Sequence, residues 1–111
     1  MASGMRTAKV YIQDSFAGIL AETEAGYAFA YDDGYMQRED AVSVSLTMPI
    51  TKREYFSETL FPFFDGLIPE GWLLETVHKN WKVDMRDRFG LLLASCRDCI
   101  GDVWVEAEVD A

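Results

Sequence analysis

A chain of 111 residues, 50% hydrophobic and 14% aromatic, describes one domain with enough apolar mass for a real core, and it is too short for a self-contained kinase or barrel. Its formal net charge of −9 repels phosphate backbones and anionic lipid headgroups, which puts direct contact with nucleic acid or membrane last among its partners. The start, Met1-Ala2-Ser3-Gly4-Met5-Arg6, lacks the apolar segment of a signal peptide, and no stretch approaches the roughly 20 residues of a spanning helix, so a cytoplasmic protein is expected.

The first half reads as strands, because its apolar residues recur with period two between turn residues at hairpin spacing. Val10 and Ile12 open a strand, Asp14-Ser15-Phe16-Ala17-Gly18 reads as a turn, and Ile19-Leu20-Ala21 as the return. After Glu24-Ala25-Gly26, the run Tyr27-Ala28-Phe29-Ala30-Tyr31 places large residues on one face and alanines on the other. Asp32-Asp33-Gly34 signals a turn, and Val42, Val44, Leu46 and Met48 then alternate with Ser43, Ser45 and Thr47, which predicts a half-buried strand.

The period changes in the second half. Pro62 is expected at the first position of a short helix through Leu67, and Pro69 at that of a longer one, because the N–H that proline lacks is unpaired there. Leu73, Leu74, Val77 and Trp81 share one stripe of that longer helix. Asp84 and Asp87 resemble caps for a helix with the stripe Met85, Phe89, Leu92, Leu93 and Cys96. Val103, Val105, Ala107 and Val109 alternate with Asp102, Trp104, Glu106 and Glu108 in a closing strand. The expected fold is α+β: a single small domain, a curled antiparallel sheet with two to three helices inserted before the last strand.

No catalytic constellation is visible. Cys96-Arg97-Asp98-Cys99 has no second pair, and His78 stands without a spaced partner, so neither a tetrahedral zinc site nor a redox motif is complete and no metal or cofactor is expected. With one histidine a Ser/His/Asp relay has nothing to be built from, and no glycine-rich loop follows a strand. The informative residue is Trp72. At about 100° per residue it lies opposite the stripe of its helix and faces solvent, where tryptophan is enriched among binding hot spots; the alternative packs it under the preceding loop against Phe63 or Phe64. As a binding anchor it takes Glu70, Gly71, Glu75 and Lys79 as its rim. Trp104 shares the face of Asp102 and Glu106 and is expected to be buried if helices cover that side.

Four ordered blocks carry a resemblance. Ser43-Val44-Ser45-Leu46-Thr47-Met48-Pro49, Phe63-Phe64-Asp65-Gly66-Leu67-Ile68-Pro69-Glu70-Gly71, Phe89-Gly90-Leu91-Leu92-Leu93-Ala94 and Asp98-Cys99-Ile100-Gly101-Asp102-Val103 resemble the N-terminal subdomain of HipA-type toxin kinases, whose blocks read approximately S-L-S-L-P-L, F-F-x-N-L-L-P-E-G, F-x-L-L and G-x-D-C-x-G-A. The resemblance implies a subdomain-like unit over residues 8–108, with a flexible N-terminus at 1–7 and a tail at 109–111. The family's kinase core follows this subdomain and none of its motifs occurs before Ala111. The resemblance is therefore to a free-standing version, as in tripartite HipB–HipS–HipT systems. It implies a HipS-like antitoxin, itself no enzyme, that binds a HipT-like serine/threonine kinase in a complex with a HipB-like DNA-binding protein. Rival readings are a structural subunit that completes the kinase without inhibiting it, and a small redox or metal protein using Cys96 and Cys99.

Overall fold

Alternation in β1 (Thr7–Ile12) turns Ala8, Val10 and Ile12 to the interior and leaves Lys9 and Tyr11 on the other face. The structure, a computed structural model, describes residues 5–79, 84–95 and 102–108. β2 (Ser15–Thr23) and β3 (Gly26–Tyr31) continue the antiparallel meander. β4 (Glu54–Ser57) pairs with β3, and β5 (Val103–Ala107) returns to the opposite edge beside β1, so the five-stranded order is β4-β3-β2-β1-β5. The sheet is open, and it is antiparallel throughout.

The aromatic strand β3 behaves as its pattern demands. Phe29 and Tyr31 are fully buried while Ala28 and Ala30 lie on the outer face. Among the described residues four helices occupy the connections: α1 (Asp33–Met36), α2 (Pro62–Asp65), α3 (Glu70–Lys79) and α4 (Arg88–Ser95). Phe64 of α2 packs against Phe29 at 5.6 Å, and Phe89 of α4 meets Tyr27 edge-on at 6.0 Å. Together with Leu91, Leu92 and Val105 they close one core on one face of the sheet. Asp87 caps α4, accepting from the Gly90 amide at 3.1 Å, and its carboxylate also holds Arg6. The proline expected to open the short helix does so at Pro62. Pro69 instead stands just before α3, its carbonyl taking the first helical bond from Leu73 at 3.0 Å.

Several expectations change. The turn after β1 is Gln13-Asp14 alone, with Gln13 left-handed at φ 57°, and Ser15 already begins β2. A bulge at Val10/Tyr11 absorbs Ala17, which irregular pairing hides from simple alternation. Asp32 is the N-cap of α1, accepting from the Tyr35 amide at 3.0 Å, rather than part of a turn with Gly34. Residues 42–48 form no strand. The edge of β3 they would need is taken by β4, so a period-two sequence with no ladder to join becomes a loop closed by a single Ser45–Met48 bridge. Met85 precedes α4 instead of lying on its buried stripe and is 40% exposed. Cys96, Cys99 and Trp81 lie outside the described residues.

Candidate partner-binding surface

Residues 70–79 propagate as a helix because only Gly71 is a poor former, Glu70 sits at the positive end of the dipole, and His78 and Lys79 sit at the negative end. Yet α3 buries none of its ten residues. Helices of this length owe their stability to packing an apolar face, so this one is only partly satisfied by its own domain.

All five residues singled out from the sequence lie on this helix, and the structure reorders their roles. Trp72 does not stand free in solvent: it is half-buried and packs against the core, as does Leu73, and Val77 is half-buried. Leu74, expected on the buried stripe, is 69% exposed. Both departures have one cause, a rotation of the helix by roughly a quarter turn, which brings Trp72, Leu73, Thr76 and Val77 onto the inner arc and turns Leu74 out beside Glu75 and His78. Periodicity places apolar residues on an arc; which edge of a wide arc faces inward depends on the neighbours. Sequence reasoning therefore missed Leu74, whose only signal was its place at the margin of the stripe.

Glu70, Gly71, Glu75 and Lys79 are exposed. Glu75 and Lys79 form an i,i+4 pair at 3.2 Å, both more than two-thirds exposed, a geometry that contributes little to stability. A Cβ built on Gly71 meets nothing within 4 Å, so the free domain has no steric need for glycine there. The surface of α3 thus combines a partly exposed tryptophan, an outward leucine, an unshielded backbone at Gly71 and mixed charge. Such a surface can dock a protein.

The perturbed charges lie elsewhere and are structural. Arg6 reaches Glu22 at 2.9 Å and Asp87 at 2.7 Å, and its guanidinium lies 5.3 Å over the Phe89 ring. The hydrogen bonds from Arg6 hold both carboxyls below their ordinary range and raise the guanidinium in turn. This clamp fastens the start of β1 to the start of α4. Beside it an open groove of about 1220 Å³ runs along β5, lined by Lys9, Leu93, Trp104 and Glu106 among others. Trp104 is half-buried on the sheet face opposite the core, stacked on Tyr11 at 4.1 Å with its indole N–H donating to the Gln13 carbonyl at 2.8 Å. Among the described residues, its contacts are a ring and a carbonyl rather than a helix. Among the described residues no cluster of three metal-ligating side chains occurs, and no helix is long and apolar enough to cross a membrane.

Comparison with known proteins agrees with this architecture. The family described as the HipA N-terminal domain matches residues 8–106. A solved structure of the N-terminal domain of HipA toxin superposes with a TM-score of 0.77 at 31% identity, covering all of both chains. A protein of uncharacterised function from Haemophilus influenzae is 34% identical over 104 residues, 94% of each chain.

Proposed function

Because the chain belongs to the HipA N-terminal domain family, we propose that it is a HipS-like antitoxin, a non-enzymatic cytoplasmic protein that binds a HipT-like serine/threonine kinase in trans and holds it inactive. The observation that carries this reading is α3, a ten-residue helix with no buried residue that leaves Trp72 partly exposed and Leu74 in water. The relative from Haemophilus influenzae is matched over 94% of its own length, which supports a domain of this size acting as a separate protein. Trp72 is the anchor, a large, partly preordered contact with Glu70, Gly71, Glu75 and Lys79 at the rim, and Leu74, on the other side of the helix, offers a separate apolar contact. A HipB-like DNA-binding protein completes the complex, so contact with nucleic acid is made by that partner and not by this acidic chain.

The test is co-expression with a HipT-like kinase from the same genome. The wild-type protein restores growth and suppresses autophosphorylation of the purified kinase. Leu74→Asp abolishes protection while leaving the melting temperature of the free domain unchanged, because the side chain is already in water. Trp72→Ala also abolishes protection and lowers stability, since the side chain is partly buried against the core. Binding without any change in kinase turnover would instead identify a structural subunit.

A further inference from the structure

Residues 41–51, Ala-Val-Ser-Val-Ser-Leu-Thr-Met-Pro-Ile-Thr, hold no charge in a chain that is 26% charged. The loop they form is held rigidly. Tyr31, fully buried, accepts from the Val44 amide at 2.8 Å and donates to the Met48 carbonyl. Tyr35 accepts from the Val42 amide at 3.0 Å and donates to its carbonyl at 2.9 Å, and Tyr55 donates to the Pro49 carbonyl at 2.6 Å. Val44 and Met48 plug the core on either side of a tight turn in which the Met48 amide donates to the Ser45 carbonyl at 3.1 Å. At the tip of that turn stands Leu46, 99% exposed.

Three buried or half-buried tyrosines thus hold an apolar side chain out in water. A lone exposed leucine is unremarkable on a mobile loop, but here its position is preset, so little entropy is lost on docking. The surroundings have the anatomy of an interface: an uncharged centre bounded by Arg38, Glu39 and Asp40 on one side and Lys52, Arg53 and Glu54 on the other. Three cations balance three anions in these flanking segments, and Arg53 also pairs with Asp33 at 3.1 Å, so the surroundings of the loop carry little net charge on an acidic molecule. This face does not suit a polyanion, and its convex shape calls for a socket on a folded protein.

We infer that the 42–50 loop is a second docking knob for the same kinase, with Leu46 entering an uncharged apolar socket on it; this rests on the antitoxin reading of α3. The size of α3 leaves room for such a contact. A ten-residue helix is about 15 Å long and about 10 Å across, and one face of it falls short of the about 800 Å² per partner that a stable, specific interface buries. Among the described residues Leu46 is the most exposed large apolar side chain.

The experiment measures binding of wild type, Leu46→Ala, Leu46→Asp and Trp72→Ala to the purified HipT-like kinase at low and high salt, with sedimentation of each variant alone. Leu46→Ala weakens binding by about 10-fold, Leu46→Asp by more, and the Leu46→Ala factor is the same at both salt concentrations because that substitution changes no charge. The melting temperature stays at the wild-type value. If Trp72→Ala weakens binding and both Leu46 variants bind like wild type, the knob is wrong and the α3 reading stands. If wild type does not bind the kinase, the antitoxin reading falls and the kinase is lost as the occupant. A wild-type self-association that Leu46→Asp abolishes would make a second copy of this chain the occupant and overturn the proposal.

Discussion

At Asp87 a single carboxylate caps α4 through the Gly90 amide and anchors Arg6. Asp87→Ala removes both and should cost about 1–2 kcal/mol, read as a lowered melting temperature; Asp87→Asn, which keeps an acceptor for the cap, should cost less. The same clamp sets a pH dependence. Glu22 and Asp87 are held below their ordinary values of 4.5 and 3.8, first by the hydrogen bond from Arg6. A carboxylate whose folded pKa is depressed contributes stability that is fully present above its unfolded pKa and disappears as pH falls through the folded one. The melting temperature should therefore drop on acidification below about 4.5, and Arg6→Gln should flatten that part of the curve. Gly71 makes the opposite case. It is exposed and sterically free, so Gly71→Ala should stabilise the domain by about 0.5–1 kcal/mol. Gly71→Leu should weaken kinase binding by standing where a partner approaches the backbone; unchanged affinity would remove Gly71 from the surface.

Among the elements, the loop after α1 and the helix α3 show the same economy. Each is fastened to the core from beneath and leaves apolar side chains uncovered above. In the loop the fasteners are hydroxyls, because a segment without a ladder must find other partners for its backbone groups. Tyr31→Phe leaves the buried Val44 amide unpaired at a cost of about 1–3 kcal/mol, and faster hydrogen exchange at Val44 is the measurement. In α3 the fasteners are Trp72 and Leu73, so this helix should exchange its amides faster than α4, whose Phe89, Leu91 and Leu92 are buried.

Across the whole molecule, one face of the sheet carries the core helices, tied to each other by Arg88 of α4 and Asp65 of α2 at 2.6 Å. The net charge of −9 acts at longer range than any of these contacts. If the proposed kinase partner offers a basic surface, this charge speeds encounter and the association rate falls as salt is raised, while substitutions at Trp72, Leu74 or Leu46 act mainly on dissociation. Stopped-flow association at a series of salt concentrations separates the two, and a salt-independent rate would show that charge plays no steering role.

The α+β class, the first three strands, the proline at the start of α2, the cap at Asp87 and the family were all legible in the sequence. Each is written in local signals: period-two alternation, a residue whose chemistry suits one backbone position, or ordered blocks of residue types. The folding of 42–48 as a loop and the facing of α3 were decided only by the tertiary structure. A strand needs a free neighbouring edge, and β4 had taken it; an amphipathic arc needs a surface to lie on, and the core accepted Trp72 in preference to Leu74. Which apolar side chains remain for a partner is set by what the rest of the molecule has already covered, and local pattern carries no record of that.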